Sequence, residues 1–266
     1  MTQARIPQAP ELYSLGDRVA LVTGGSGIYG AHIVSALAES GAHVVVASRN
    51  REKCQKFAAK LCASGLQVEA TELDLTSEAS IQKVRDEIVI KFGRIDVLVN
   101  NAVARAGGDL HNTTAAEWEE TMRVNSTGLF QACKVFSGPM QERRSGSILN
   151  IASIYGMVGP DFSIYEGTSL TSPVAYSFAK GGMINLTRYL ASYLAPFNVR
   201  VNCLSPGGMQ TEDTPIEFVP QYSRRTPMSR MAEPADIKGP VVFFASEASR
   251  YITGQNLAVD GGWTAI

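Results

Sequence analysis

The sequence predicts a doubly wound α/β fold, with one parallel sheet flanked by helices on both faces of a single domain. Three observations carry this. Short β-branched runs alternate with helical patterns from one end of the chain to the other, as repeating strand–helix units require. Runs such as Val44-Val45-Val46 and Val97-Leu98-Val99 are apolar at consecutive positions, as strands covered on both faces must be. A glycine-rich turn, Thr23-Gly24-Gly25-Ser26-Gly27-Ile28-Tyr29-Gly30, separates the first strand from the first long helix.

Taken in order, the strands are expected at 18–23, 42–47, 67–73, 95–100, 147–151, 199–204 and 256–259. Between them, helical patterns cover about 28–40, 50–64, 77–92, 115–137, 173–195 and 234–246. Gly41 and Gly65 end the first two, since glycine tolerates the left-handed position just past a helix. Ser172 is placed to cap the fifth, with Pro173 in its first turn. Residues 1–11 read as a flexible N-terminal arm without the apolar centre of a signal peptide. Two stretches, 154–172 and 206–233, follow neither period and are rich in Gly, Pro, Ser and Thr. Loops of that length inside a compact domain usually serve function. No linker or low-complexity segment divides residues 1–266.

Composition narrows the function. The chain has 266 residues, 45% hydrophobic and 18% charged, enough for a sizeable core. A formal net charge of −1 offers no footprint for nucleic acid or an anionic membrane. No apolar run is long enough to span a bilayer. Cys54, Cys62, Cys133 and Cys203 form no Cys-x-x-Cys and have no histidines at ligand spacing, so no metal is expected. Scattered thiols of this kind fit a reducing compartment, and the expected location is cytoplasmic.

The glycine turn satisfies Gly-x-Gly-x-x-Gly through Gly25, Gly27 and Gly30, with a strand before it and a helix after. Missing side chains let backbone approach a pyrophosphate, and the helix N-terminus supplies amide donors. Gly24, Ser26, Gly27, Ile28 and Tyr29 are the expected contacts. About twenty residues on, NAD binders tend to carry an acid that grips the ribose 2′-hydroxyl. Here the chain reads Ser48-Arg49-Asn50, with no acid, and Arg49 suits a 2′-phosphate. NADP(H) is therefore expected in preference to NAD(H).

Tyr176 and Lys180 stand four residues apart on one helix face. A nearby ammonium favours phenolate and lowers a pKa otherwise near 10, which makes the phenol a usable proton donor and acceptor. Alone, the pair also fits a solvated helix face.

With these motifs in register, the chain resembles the classical short-chain dehydrogenase/reductases from about Leu12 to Trp263. Asp74-Leu75 stand where the family contacts adenine, and Asn101-Ala102 of Asn-Asn-Ala where it walls the cofactor cleft. Asn125, Ser153, Tyr176 and Lys180 follow, then Pro206-Gly207 with Thr211, then Asp260-Gly261-Gly262. The turn departs from the family pattern: Ile28 stands at its middle glycine, and Gly24, Gly27 and Gly30 match the extended branch instead. The resemblance implies a Rossmann-type fold and an NAD(P)-dependent enzyme that interconverts a secondary alcohol and a ketone. It implies Tyr176 as acid/base, Lys180 as its pKa modulator and ribose contact, Ser153 as hydrogen bond to the substrate oxygen, and Asn125 as anchor of a proton-relay water.

The segment 154–172 is long for the family and polar, so it reads as an active-site insertion for a small, sugar-like substrate. The stretch 206–233 resembles the family's mobile lid. Arg105, Glu166 and Phe218 are the expected substrate contacts. A 3-oxoacyl thioester reductase and a non-catalytic dinucleotide sensor are the competing readings. By analogy the chain is expected to pair into a homotetramer.

Overall fold

A computed structural model describes residues 6–266. The elements run in the order α1 (Ala9–Leu12), β1 (Val19–Thr23), α2 (Ile28–Glu39), β2 (His43–Ser48), α3 (Arg51–Cys62), β3 (Val68–Glu72), α4 (Glu78–Phe92) and β4 (Val97–Asn100). They continue with α5 (Ala115–Met122), α6 (Leu129–Arg143), β5 (Gly146–Ile151), α7 (Val174–Leu194), β6 (Val199–Pro206), α8 (Phe218–Arg225), α9 (Lys238–Ala245) and β7 (Asn256–Val259). All seven strands pair in parallel, in the order β3-β2-β1-β4-β5-β6-β7. This is the expected doubly wound sheet, with every strand within two residues of its anticipated bounds.

Burial explains the apolar runs. Every residue of β1 and β4 is buried, because helices cover both faces of the central strands. On one face Leu21, Leu98 and Ile148 pack against Ile81 and Ile88 of α4, Phe136 of α6 and Met183 of α7. On the other, Val22, Val44 and Val99 meet Ile33 and Leu37 of α2, Cys54 of α3 and Phe244 of α9. A third, smaller cluster joins Ile154, Ile164, Phe218, Tyr222, Met231 and Trp263, and so packs the 154–172 segment against the 206–233 segment.

Several details differ from the sequence expectations. Of the expected arm 1–11, residues 1–5 lie outside the described residues; from Ala9 the chain forms a helical turn, and Tyr13 just past it packs against Phe243 at 6.4 Å. The single helix expected over 115–137 is two helices joined by a π-helical turn, Arg123–Gly128. Ser172 does not cap α7: Pro173 holds that position without a side-chain bond. Helix α8 inside the lid was not anticipated, since a short segment punctuated by prolines carries too little period to read.

Candidate active site

In this strand order the chain reverses direction between β1 and β4, which opens a crevice at the carboxyl ends of the strands. The glycine turn lies there and is tied to β4 through side chains. Thr23 Oγ1 accepts bonds from the amides of Asn101 and Ala102, both at 3.1 Å. The Asn101 amide donates to the carbonyls of Thr23 (3.2 Å) and Gly24 (2.9 Å). The packing leaves no room for a side chain. A Cβ on Gly30 would stand 2.2 Å from the Gly24 oxygen, and Gly24 itself has φ +63 against Ala102. Gly27 N-caps α2, and the first amides of that helix have no intrahelical acceptor. Ile28, where the family expects glycine, is 58% exposed, so the larger residue does not crowd the turn.

Beyond the turn a cleft of about 160 Å³ is lined by residues that include Ala47, Arg49, Asp74, Leu75 and Ala102. These shapes and donors fit the adenosine half of a dinucleotide. Hydrogen bonding from the Thr76 amide, opposed by partial burial and aided by the Thr76 hydroxyl and Arg49, holds the Asp74 carboxyl below its usual range. At the tip of β2 stands Arg49, whose charge acts on Asp74 across the cleft. Ser48 Oγ donates to the Asn50 carbonyl at 3.2 Å and lies 3.0 Å from Cys54 Sγ. The Asn50 side chain is committed to capping α3 through the Lys53 amide at 2.9 Å. Both are expected cofactor contacts, and their side chains make these local bonds.

Tyr29 adds a link that the sequence did not reveal. Its hydroxyl donates to the Gly207 carbonyl at 2.7 Å and so ties α2 to the chain leaving β6 at Pro206. Thr211 lies in the following loop, where its amide donates to Thr214 Oγ1 at 2.9 Å.

The expected catalytic residues lie where β5 meets α7. Ser153 caps a 3-10 turn just past β5 and is 6% exposed. Tyr176 and Lys180, one turn apart on α7, are 9% and 3% exposed. A buried polar chain holds that helix in place: Asn100 donates to Asn150 Oδ1 at 2.8 Å, and Asn150 donates to Thr187 Oγ1 at 2.9 Å. Lys180 Nζ donates to the Ile151 carbonyl at 2.6 Å and lies 5.6 Å from the Tyr176 ring centre.

Electrostatics single out one phenol. Burial pushes Tyr29, Tyr155 and Tyr165 up, and raises Tyr222 to about 12. Burial opposes ionisation of Tyr176 as well, yet Lys180, Arg105 and hydrogen bonding with Ser153 and Arg105 bring it below the usual tyrosine value. Burial also lowers Lys180, with the Tyr176 phenolate opposing that shift.

Asn125 hangs from the π-turn, a local geometry that often marks functional positions. Its side chain brackets Ala104: Oδ1 accepts from the Ala104 amide at 2.8 Å and Nδ2 donates to the carbonyl at 2.9 Å. The neighbouring Arg105 guanidinium stands 4.8 Å from the Tyr176 ring centre. Glu166 is exposed; its amide donates to the Ser163 carbonyl at 3.3 Å and its carbonyl accepts from Gln221 at 2.9 Å.

Phe218 requires a correction. It is 7% exposed and stacks on Tyr165 at 5.5 Å, so it packs the lid onto the insertion instead of facing a ligand. Burying the ring removes its apolar surface from water together with Ile164, Tyr222 and Trp263. The hydroxyls of Tyr155 and Tyr165 meet at 2.7 Å beside the centre. Tyr155 stands two residues past Ser153, the one sequence signal that marks it.

Comparison with known proteins agrees with this architecture. A family model described as Enoyl-(Acyl carrier protein) reductase matches residues 23–264. The chain belongs to the short-chain dehydrogenase/reductase family. The 2,3-dihydro-2,3-dihydroxybenzoate dehydrogenase of Bacillus subtilis is 34% identical over 260 residues, covering 93% of this chain and 96% of that protein. A Rhizobium meliloti protein named probable galactose dehydrogenase is 35% identical, covering 93% and 95%. The crystal structure of a gluconate 5-dehydrogenase from Burkholderia cenocepacia, in complex with NADP and tartrate, superposes with a TM-score of 0.88 at 30% identity, covering 97% of this chain and 100% of that one. The chain is thus an NAD(P)-dependent oxidoreductase of the CH–OH group, binding a nicotinamide dinucleotide and a small-molecule substrate. Among the described residues no helix is long and apolar enough to cross a membrane.

Proposed function

We propose that this enzyme interconverts a secondary alcohol and a ketone on a small polar, sugar-like substrate with NADP(H), using Tyr176 as acid/base. The observation that carries the reading is the convergence of Ser153, Tyr176 and Lys180, with Tyr176 alone among the surrounding tyrosines shifted toward ionisation. When bound, the nicotinamide accepts or returns the hydride. Oxidation removes a hydride and a proton from the carbinol and leaves a carbonyl; reduction adds both back. Tyr176 takes or gives that proton at the substrate oxygen. Ser153 donates a hydrogen bond to the same oxygen, where negative charge grows. Lys180 holds positive charge near the phenolate, and Asn125 fixes the loop that walls the site.

Arg49 supports the NADP preference. It stands at the tip of β2 and lines the cleft, with no acid at the strand tip itself, while the side chains of Ser48 and Asn50 make local bonds. The polar insertion 154–172 supports an oxygen-rich substrate. Names among the relatives point the same way, with a dihydroxybenzoate derivative, galactose and gluconate as substrates. A homotetramer in the cytoplasm completes the reading. Phe178, Tyr189 and Tyr193 leave α7 with 64%, 65% and 61% exposure, a surface suited to a second subunit, and the thiols are free. The description of the family model favours a second reading, an acyl thioester substrate.

A panel of polyols, sugar acids, simple ketones and an acetoacetyl thioester, followed at the NADPH band with both cofactors, tests this. Turnover of polar hydroxy compounds with NADPH above NADH is expected. Faster reduction of the thioester than of any small ketone would install the second reading.

A further inference from the structure

Arg105 is exposed, yet the residues on both sides of it are held by buried side chains. On one side Asn125, 2% exposed, brackets both polar groups of Ala104. On the other Thr121, fully buried, accepts from the Ala106 amide at 3.2 Å and donates to the Ala106 carbonyl at 3.3 Å. Two buried side chains from separate turns therefore clamp the residues flanking Arg105. Structural need alone does not account for a charged side chain presented from so rigid a mount. Its guanidinium lies over the Tyr176 ring at 4.8 Å, and its charge lowers the Tyr176 pKa. Among the described residues it has no carboxylate partner.

A guanidinium beside the reacting oxygen, lacking an acid to neutralise it, forms a planar fork matched to one carboxylate. No lysine or second arginine joins it at the Tyr176 ring other than buried Lys180, which donates to the Ile151 carbonyl. One fork suits a carboxylate better than a phosphate, which usually collects several cations.

We propose that Arg105 is the specificity-determining receptor for a carboxylate on the substrate, and that the enzyme's substrates are hydroxy acids and their oxo counterparts, not neutral polyols. This rests on the oxidoreductase reading above. In the free enzyme the guanidinium rests on Tyr176; the incoming carboxylate pairs with it and places the carbinol against Ser153 and Tyr176. Because Arg105 also favours the phenolate, its loss raises the pH at which oxidation reaches half its plateau, on acids and neutral alcohols alike.

Matched pairs test this: gluconate against glucitol, and 3-hydroxybutyrate against 1,3-butanediol, each with NADP. The wild type is expected to favour the acid member in kcat/KM by roughly 10- to 100-fold, the worth of one charge-assisted hydrogen-bonding pair. Arg105→Gln is expected to erase that preference through KM, and Arg105→Lys to restore part of it. Calorimetric titration of tartrate into the enzyme–NADP complex gives a readout apart from turnover, with binding weakened in Arg105→Gln. Equal turnover of both members, with a ratio untouched by Arg105→Gln, overturns the proposal and leaves the oxidoreductase reading standing. Absence of turnover on every alcohol and ketone tested overturns both.

Discussion

The cofactor half and the substrate half of this molecule are held together by different means. Around the glycine turn, stability and binding share the same atoms. Thr23, Gly24 and Asn101 belong to the ends of central strands or to the turn itself, and their bonds are sheet-end bonds. The substrate side is a satellite. The 154–172 insertion and the 206–233 lid meet through their own aromatic cluster, in which Tyr222 stacks on Trp263 at 4.5 Å and Phe218 on Tyr165 at 5.5 Å. Its polar ties are few: Tyr222 accepts from the Gly208 amide at 2.6 Å, Gln221 reaches Glu166, and Arg225 lies 3.4 Å from Asp161. A satellite with its own small core can be altered without disturbing the main sheet. The Tyr29–Gly207 hydrogen bond and Met209, buried in the main core, remain as its links to the cofactor half.

That contrast can be broken at several points. Tyr176→Phe should lower kcat by roughly 10²–10⁴-fold while NADPH affinity, read by fluorescence titration, stays within a few-fold. A near-native rate would remove the phenol from the chemistry. Trp263→Ala should cost about 3 kcal/mol locally, because a 2% exposed ring leaves a cavity in the satellite. Hydrogen exchange should quicken across 206–233 and KM should rise, with NADPH affinity conserved; a loss of NADPH binding would show that the two halves are coupled. Arg49→Ala should weaken NADPH by about 1.5–3 kcal/mol and leave NADH unchanged. Equal losses on both cofactors would assign Arg49 to another role. Asp161→Asn, which removes a partly exposed ion pair between insertion and lid, should shift thermal stability by less than about 1 kcal/mol.

Much of the site is legible before any folding. Tyr176 and Lys180 are readable as a pair because a four-residue spacing puts both on one helix face, and Ser153 is readable through the family resemblance. Val44 to Val46 read as a central strand because both faces needed covering. Other features stay hidden for a physical reason: they depend on which distant surfaces meet. Phe218 reads as a ligand cap until Tyr165 is seen stacked on it. Ser48 and Asn50 read as cofactor donors, and only the fold shows the bonds their side chains make with Cys54 and the first turn of α3. The π-turn at Arg123–Gly128 leaves no periodic trace, since one extra residue per turn vanishes in a helical pattern.

Residue types and their spacing alone determined the parallel sheet, the glycine turn and the placing of Tyr176 and Lys180 on one helix face. Tertiary structure decided that Arg105 reaches Tyr176, that Tyr29 bridges to Gly207, and that the insertion and the lid form one body. Periodicity records which face of an element is covered. It carries nothing about the partner that covers it, so contacts between segments far apart in the chain emerge only when the fold brings them together.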